Sequence, residues 1–410
     1  MSGVTQSYLA DAKTLSDGDL TRFVSGANPP MDASVLAHPP GYPILIAAVY
    51  GIFGENDDTF RLVQILLNSL GPILVLIIAL RLFEIRPAVI AAFLVAISPQ
   101  FAYYSSIILP DELSAVMILA ALYFFVKAVQ DQQWRSAIFC GVFMGLSCWL
   151  RSNALLLPVF FSGTAFIFLP KQLRLKFAAV LLASFIIIIS PITIRNYIVF
   201  RSFIPLSLGT GTTFVEGLGD YDANGRFGMP SSDEGVMELD ARRSERSDYY
   251  GNLYNPDGIE REKDRIKIGL SVVSANPSWF LTSVLHRGTA TFRMERVPVI
   301  APQQDAKEPV NPILYYMNLP LKLFQKLFIT AVFIPLFLFG TILLLRTKEQ
   351  RVKLAILAVV PIYYASVQSL LHTEYRYLLP ASHVLIILAA AGVSALVASV
   401  QRLNFQRSNR

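Results

Sequence analysis

Residues 177–196 read "FAAVLLASFIIIISPITIRN", and no charged side chain interrupts this run until Arg195. A hydrocarbon core about 30 Å thick is crossed by roughly 20 helical residues, because each residue advances a helix by about 1.5 Å. The stretch therefore predicts a transmembrane helix that ends in a polar pair, Arg195 and Asn196. It also indicates that the chain folds within a membrane.

Eight further apolar stretches have this character, and the composition of the chain agrees with them. Of its 410 residues, 54% are hydrophobic and 16% are charged, whereas soluble domains carry about 25% charged residues. We therefore predict an all-α polytopic membrane protein with a bundle of about nine transmembrane helices. The predicted spans are residues 62–80, 87–105, 112–128, 136–150, 152–169, 177–196, 327–345, 354–371 and 378–400.

Several other classes of protein are disfavoured. The net charge of +6 does not indicate a nucleic-acid partner, because the basic residues lie at the ends of apolar runs. Cys140 and Cys148 lie inside one apolar run, where cysteine acts as a small hydrophobic residue. There is no P-loop or zinc-protease motif, and the glycines of "GLGDYDANG" follow no strand. The sequence predicts no metal site from its scattered histidines, which include His38, His286 and His372.

The loops predict the orientation, since cytoplasmic loops are enriched in Lys and Arg. One set of alternate connections, with the C-terminal tail, carries fourteen basic residues, and the opposite set of short loops carries only Arg151 and Arg376. We therefore predict a multi-pass protein of the plasma (inner) membrane with a cytoplasmic C-terminus. The fourteen are Arg81, Arg86, Lys127, Arg135, Lys171, Arg174, Lys176, Arg346, Lys348, Arg351, Lys353, Arg402, Arg407 and Arg410.

This orientation places residues 1–58 outside, although Met1 begins a polar stretch with no signal peptide. We expect that an upstream hydrophobic helix is missing from the sequence; direct translocation of the N-terminal tail is the alternative. The stretch "HPPGYPILIAAVYGIFG", residues 38–54, then lies outside before the first span. Its apolar part is too short to cross the membrane comfortably, so it predicts a helix lying on the membrane surface.

One large hydrophilic piece, residues 197–325, interrupts the spans. Turn-forming residues are followed there by charged helical patterning, which predicts a small, mostly helical extracytoplasmic domain. The predicted organisation is an outer loop with a juxtamembrane helix at 1–58, a six-helix block at 59–196, the domain at 197–325, a three-helix block at 326–401 and a cytoplasmic tail at 402–410.

Two acidic residues, Asp111 and Glu112, lie where one predicted span reaches the outside and the next begins. Acidic residues in the first turn of a helix complement its dipole, which is the structural interpretation. The functional interpretation is a carboxylate that binds a metal, orients a substrate hydroxyl or removes its proton. The sequence leaves both interpretations open.

Three arginines, Arg151, Arg195 and Arg376, face the same predicted outer surface. A snorkelling arginine at a helix end is common, but the positive-inside rule expects it mainly on the cytoplasmic side. A fixed guanidinium group suits a phosphate, and Glu374 is placed to hold Arg376. We therefore predict an anionic ligand at this surface, and the phosphate of a membrane lipid is the natural candidate.

Several motifs occur in a fixed order along the chain. They are "HPPGYPILIAAVYGIFG" followed by "RLVQILLN", then "SPQFAYYSSIILPDEL", "GVFMGLSCWLRSNALLLP", "SPITIRNYIVFRSFIPLS" and "HTEYRYLLPASHVLIILAAAGV". Together they resemble the polyprenyl-phosphate-dependent glycosyltransferases of the GT-C class, which include protein O-mannosyltransferases and lipid A aminoarabinose transferases. The likeness covers most of the chain and weakens over residues 220–310. Each motif is loose, whereas the ordered set is fairly specific.

The resemblance implies a GT-C-like bundle and a membrane glycosyltransferase that moves a sugar from a polyprenyl-phosphate lipid to an acceptor at the outer face. By matching position, Asp111 or Glu112 would lie near the acceptor or a divalent metal. The donor phosphate would be held by Arg151, Arg195 and Arg376. The donor cleft would be lined by His38, Pro39, Pro40, Tyr42, Asn196, Glu374 and Tyr377. The partners would be the lipid-linked sugar, membrane lipids and a glycan, lipid or protein acceptor.

One position departs from the family pattern. GT-C families usually carry a catalytic acid in the first outer loop, and the matching positions here, Val4 to Ser7, contain no acid. Either that carboxylate was lost with the missing helix, or the chain is a degenerate, non-catalytic paralogue or partner subunit of such a transferase. A polytopic lipid or glycan transporter is a second alternative, but it should place ionisable residues near the bilayer midplane rather than at the outer ends.

Overall fold

The computed structural model describes residues 3–18, 33–222, 225–300 and 311–408, and these residues form helices and loops without a β-strand. The helices are α1 (Gly3–Ser16), α2 (Gly41–Phe53), α3 (Asp57–Leu82), α4 (Ile85–Ala96), α5 (Pro99–Ser106), α6 (Asp111–Asp131), α7 (Ser136–Leu150), α8 (Leu157–Phe168), α9 (Lys171–Phe200), α10 (Thr210–Gly219), α11 (Asp233–Ser244), α12 (Gly258–Ala275), α13 (Pro277–Ala290), α14 (Pro312–Leu344), α15 (Lys348–Val367) and α16 (Leu379–Ser408). The predicted all-α polytopic fold class is confirmed.

Six helical segments of the described chain are long and apolar enough to cross a membrane, or eight if each bent helix pair counts as one span. All nine predicted spans correspond to helices, but three differ from simple straight spans. Two of these, α7 and α8, are short apolar helices. The remaining one, the predicted span at residues 87–105, is divided into α4 and α5, which meet at 49°.

Proline explains the bend between α4 and α5. Pro99 is the first residue of α5 and has no backbone N–H, and it disfavours helical geometry at the residue before it. Ser98 is accordingly extended, with φ −67° and ψ 121°. The same device separates α12 from α13, which meet at 108° at Asn276 and Pro277.

Helix α6 lies at the centre of the bundle. In its apolar window 72% of the residues are buried within the protein, compared with 33% for α3 and for α9. It packs against α3, α7 and α16. Its first turn therefore lies among the ends of several helices, and this end of the bundle, which contains Asp111, is called the site end below.

The short helix α2, which the sequence predicts to be a juxtamembrane helix, lies at the site end. Its 13 residues give a length of about 20 Å, which is less than a bilayer core. Ile52 and Phe53 at its end are 74% and 61% exposed, as expected for side chains that meet lipid. At its start, a Cβ atom on Gly41 would lie 2.6 Å from the carbonyl oxygen of Trp149, so only glycine permits this close contact with α7.

Helices α10 to α13 belong to the segment predicted to lie outside the membrane, and they are called the extramembrane helices below. They dock onto the loop between α15 and α16. The guanidinium of Arg287 is buried and donates to the carbonyls of Ser369, at 2.7 Å, and of Gly217. The backbone N–H of His372 donates to the carbonyl of Thr213 at 2.7 Å. The loop that carries Glu374 and Arg376 is thereby held from its extramembrane side.

Candidate functional site

An ion pair between Asp111 and Arg151 forms the centre of the site end. Asp111 is the first residue of α6, and its two carboxyl oxygens lie 2.9 and 3.1 Å from Nη1 of Arg151, which directly follows α7. The side chain of Asp111 is fully buried, and that of Arg151 is 14% exposed. The carboxylate therefore holds a guanidinium group in addition to its place in the first turn of a helix.

A second arginine, Arg376, lies near the ring of Tyr377, as Arg151 does. The guanidinium carbons of Arg151 and Arg376 lie 4.5 and 5.3 Å from the centroid of this ring. Glu374 accepts hydrogen bonds from Nη2 of Arg376 and, at 2.9 Å, from the hydroxyl of Tyr377. The fold thus brings together residues that are far apart along the chain, at positions 111, 151 and 374–377.

Arg376 retains a hydrogen-bond donor without a partner. Its Nε atom is buried and has no hydrogen-bond partner among the described residues. Buried donors in native proteins are nearly always satisfied, so such an atom points to a ligand or to water. Burial disfavours the charged form of Glu374, but the Arg376 guanidinium and its hydrogen bond hold the pKa of Glu374 below its usual value. Glu374 therefore stays ionised beside the two arginines.

The segment that contains His38, Pro39, Pro40 and Tyr42 lies beside this cluster under α1. The ring of Tyr8 in α1 lies 4.8 Å from the imidazole of His38 and 5.0 Å from the ring of Tyr42. Burial, together with the positive charges of Arg151 and Arg376, lowers the pKa of His38 to about 3. His38 is therefore a neutral group facing two cations.

Glu112 points away from the arginine cluster. Its Oε1 atom lies 3.2 Å from Nε2 of His383 in α16, and both side chains are buried. The two neighbouring acids of the sequence thus have different surroundings, because consecutive residues of a helix project about 100° apart.

Arg195 and Asn196 form a separate arrangement. Nη1 of Arg195 donates to Oδ1 of Asn196 at 2.8 Å, and Nδ2 of Asn196 donates to the carbonyls of Ile204 and Leu206 at 2.9 and 3.0 Å. No contact among the described residues joins Arg195 to Arg151 or to Arg376. The amide of Asn196 holds the turn after α9.

A third carboxyl group approaches the site from the extramembrane segment. Glu295 accepts a hydrogen bond from the hydroxyl of Tyr104, and burial raises the pKa of Glu295. The segment is fixed to α14 by Gln325, which bonds both the N–H and the carbonyl of Val297 at 2.9 Å. Asn318 holds residues 299 and 300 in the same way.

Sequence reasoning did not single out Glu295. It lies among many charged residues of the 197–325 piece, and nothing local distinguishes it from them. Its place follows from the contact with Tyr104, 191 residues away in the sequence. Among the residues that the structure describes, no three His, Cys, Asp or Glu side chains are grouped so that they could hold a metal ion.

Comparison with known proteins agrees with this architecture. The family model described as dolichyl-phosphate-mannose-protein mannosyltransferase matches residues 37–194, which include His38, Asp111 and Arg151. An oligosaccharyltransferase from Archaeoglobus fulgidus, tethered to an acceptor peptide, covers 99% of the chain at 15% identity with a TM-score of 0.53. The chain has the fold of this oligosaccharyltransferase, and its residues 37–194 match the mannosyltransferase family model. This confirms the resemblance found in the sequence.

Two further solved structures were matched to the chain. The same archaeal enzyme in the apo form covers 99% of the chain at 13% identity, with a TM-score of 0.53. ArnT from Cupriavidus metallidurans, bound to undecaprenyl phosphate, covers 94% of the chain at 16% identity, with a TM-score of 0.39. The chain spans about half the length of the archaeal structures, 46% of one and 48% of the other. No curated protein sequence matches it significantly.

Proposed function

We propose that the chain is a membrane glycosyltransferase that moves a sugar from a polyprenyl-phosphate lipid to an acceptor hydroxyl or phosphate at the extracytoplasmic face. The partners are the lipid-linked sugar, the surrounding membrane lipids, and a glycan, lipid or protein acceptor. The match of residues 37–194 to a family that is described by a dolichyl-phosphate-linked mannose supports this donor class.

The observation that carries the proposal is the convergence of Arg151 and Arg376 on Tyr377, with Nε of Arg376 buried and unpartnered. Guanidinium groups present planar forks of donors that match the oxygens of a phosphate. Asp111 and Glu374 each hold one arginine in place, so the donors are oriented before a ligand arrives. Such preorganisation is what makes an electrostatic site effective.

The reaction suits this charge arrangement. The bond between the anomeric carbon and the phosphate oxygen breaks, and the bonding electrons leave with the lipid phosphate. Negative charge therefore grows on the phosphate in the transition state, and the two guanidinium groups stabilise it more strongly there than in the bound donor. Losing one such donor typically costs about 10²–10³-fold in rate.

On the other side of the sugar, the acceptor oxygen bonds to the anomeric carbon and its proton must leave. Asp111 is a poor base for this proton, because both of its oxygens contact Arg151. Glu295 is the better candidate, because its described hydrogen bond comes from the neutral hydroxyl of Tyr104 rather than from an arginine, and the extended segment holds it near the site. General-base help of this kind contributes about 10²–10⁴-fold.

Helix α1 contains the positions that decide whether this chain transfers sugar or only binds the donor. Positions 4–7, where GT-C families usually carry an acid, lie at the start of α1, and Oγ1 of Thr5 donates to the carbonyl of Ile108 at 3.2 Å. These positions therefore lie beside the residues that lead to Asp111. A chain that binds lipid phosphate without transferring sugar would be the non-catalytic relative of the transferases.

The test measures binding and transfer separately on the full chain in nanodiscs. Undecaprenyl phosphate serves as the binding probe, and a short polyprenyl-phosphate mannose serves as the donor, with release of lipid phosphate as the readout of transfer. Arg376→Ala should lose at least tenfold in probe affinity, while Arg81→Ala, whose side chain pairs with Asp131 at 3.0 Å at the other end of the bundle, should bind normally. Wild-type binding without transfer would identify a non-catalytic relative. Unchanged binding in Arg376→Ala would contradict the proposal.

A further inference from the structure

A second group of polar side chains lies inside the bundle, one layer below the arginine cluster. Glu112 and His383 are 1% and 0% exposed, and Asn68 and Gln100 are 3% and 2% exposed. We propose that these four side chains form a hydrated site in the membrane interior, in which Glu112 and His383 share a single proton. The polyprenyl-phosphate site described above does not require it.

The tautomer of His383 is determined by its own helix. Nδ1 lies 2.9 Å from the carbonyl oxygen of Leu379, one turn earlier. A carbonyl oxygen can only accept, so Nδ1 carries a hydrogen and donates it. In a neutral imidazole Nε2 is then a bare acceptor, and this is the atom that faces Glu112.

Nε2 and Oε1 of Glu112 lie 3.2 Å apart, which is an ion-pair distance, and Nε2 has no hydrogen-bond partner in the described chain; the close approach of two acceptors consequently requires one proton. Two lone pairs at this separation would repel each other, and a net charge on the pair would be costly in a low-dielectric interior. A proton bound to either atom removes both problems. On Glu112 it gives a neutral carboxylic acid beside a neutral imidazole, and on Nε2 of His383 it gives an imidazolium–carboxylate ion pair with no net charge. The ring of Phe101, stacked 3.8 Å from the imidazole, shields the pair on one face.

The amides of Asn68 and Gln100 indicate what fills the remaining space. The nitrogen and the oxygen of both amides are buried without a hydrogen-bond partner in the described chain, and so are Oε2 of Glu112 and Nε2 of His383. Buried polar groups in native proteins are satisfied by protein or by ordered water. Six unpartnered atoms on four side chains therefore require several water molecules.

The helices bring these amides to the same layer. Gln64, one turn before Asn68, donates to the carbonyls of Ser105 and Ile107 at 3.0 and 2.7 Å, so this part of α3 lies along α5. Since the two helices run in opposite directions, Asn68 lies level with the beginning of α5, where Gln100 precedes Phe101. Both amides are thus near the layer of the Glu112–His383 pair.

Gly71 provides room beside the pair. A Cβ atom on this glycine would lie 3.5 Å from Nε2 of His383 and 3.8 Å from Oε1 of Glu112, which are ordinary contact distances. The volume of at least a methyl group is therefore open next to the shared proton. An apolar void would stay dry, whereas a space lined by these polar atoms favours water.

The first test concerns the proton and uses the full chain in nanodiscs with ¹⁵N-labelled histidine. The chain has four histidines, and His383→Gln assigns the resonances of His383. We expect Nδ1 to be protonated and Nε2 to be in a strong hydrogen bond, and we expect the Nε2 resonance to move to that of a free acceptor in Glu112→Leu. A ring protonated at Nε2 but not at Nδ1, or the same Nε2 resonance in Glu112→Leu, would overturn the shared proton.

The second test concerns the water and relies on matched amides. Asn196 and Gln64 are as buried as Asn68 and Gln100, but their amides are bonded to protein carbonyls. In water-edited solid-state NMR, magnetisation should reach the amides of Asn68 and Gln100 several-fold faster than those of the two controls. Equal rates would show a dry site and overturn the proposal.

A stability measurement supplies an independent check, because Asn68→Leu removes one of the proposed water ligands. The thermal midpoint should fall, since the water network and its bond to Glu112 are lost. A dry, unsatisfied amide only destabilises the protein, so a midpoint that rises in Asn68→Leu would contradict the hydrated site.

Discussion

The carboxylate of Asp111 lies 2.9 Å from the guanidinium of Arg151, and this ion pair joins the start of α6 to the end of α7. Both helices belong to the interior of the bundle, and the pair lies beside Tyr377 in the loop that follows α15. Asp111, the first residue of the central helix α6, thus determines the position of Arg151, one of the candidates for phosphate binding. If Arg151 binds the donor phosphate as proposed, folding and ligand binding are coupled at this point.

Asp111→Asn should therefore destabilise the protein as well as weaken donor binding. Breaking a buried ion pair by removing one partner leaves an uncompensated charge and costs about 3–5 kcal/mol. Thermal unfolding in nanodiscs measures this loss. The control is Asp131→Asn, because Asp131 and Arg81 are each about 30% exposed, and a pair of this kind contributes under about 1 kcal/mol. Equal losses in the two variants would show that the Asp111 pair is not structural.

The three outward-facing arginines should differ in their effect on lipid binding. Arg151→Ala and Arg376→Ala remove charge-assisted donors worth about 1.5–3 kcal/mol, which corresponds to roughly 10–100-fold in affinity. Arg195→Ala should change the affinity for undecaprenyl phosphate less than threefold, because the described contacts of Arg195 are with Asn196. Titration of the three purified variants checks this order, and a loss in Arg195→Ala as large as in Arg376→Ala would return Arg195 to the site.

The contact between the extramembrane helices and the Glu374 loop should weaken as the pH rises. The hydrogen bond to Asp220, at 2.7 Å, raises the pKa of His372, and burial together with Asp233 raises the pKa of Glu216 to about 8. The folded state therefore binds protons more tightly than the unfolded state. The His372 contribution is complete below about pH 6.5 and is lost as the pH rises through its raised pKa, and the Glu216 carboxyl adds a penalty between about pH 4.5 and 8.

Hydrogen exchange at the backbone amide of His372 reports this contact, because that N–H donates to Thr213. After correction for intrinsic exchange, protection should be greater at pH 6 than at pH 8. Among the described residues, the acidic groups around the imidazole are Asp220, Glu216, Asp233 and Glu374. The guanidinium of Arg287 faces Asp220, but it stays charged over this pH range and does not reverse the sign. In Asp220→Asn the dependence should become shallower, and an unchanged slope would contradict the role of this ion pair.

The orientation can be checked by labelling with a membrane-impermeant maleimide. Both native cysteines, Cys140 and Cys148, are buried and should not react. A cysteine at Tyr375, which is 38% exposed, should be labelled from outside, whereas one at the exposed Arg135 should react only after permeabilisation. The opposite pattern would place the arginine cluster in the cytosol, where the proposed reaction could not use an extracytoplasmic donor.

The fold could be predicted largely from local sequence because a membrane constrains each span separately. A run of some 20 apolar residues satisfies its own backbone hydrogen bonds as a helix, whatever its neighbours are. The sequence predicted less well where the helix breaks at Ser98–Pro99. It also predicted less well how short α7 and α8 are, since their lengths depend on the packing around α6. Arg151 and Arg376 could be assigned to the same side of the membrane in advance. The positive-inside rule predicts the side of each short loop from its own Lys and Arg content.

Other parts of the site depend on long-range folding. Glu295 meets Tyr104 only because Gln325 and Asn318 hold the extended segment, and no local pattern indicates this path. The different surroundings of Asp111 and Glu112 follow from helix rotation relative to α7 and α16, which sequence spacing alone does not determine. His383 carried a visible signal, a titratable residue inside an apolar run, but its partner could be found only in the folded chain.

The most direct test of the account is a structure of the full chain in a nanodisc with bound undecaprenyl phosphate. We expect the phosphate within hydrogen-bonding distance of Nε of Arg376 and of the Arg151 guanidinium, with the first isoprene units leaving the site end towards lipid. A phosphate bound at the opposite end, beside Arg81 or Arg86, or one that does not contact Arg151 and Arg376, would contradict it.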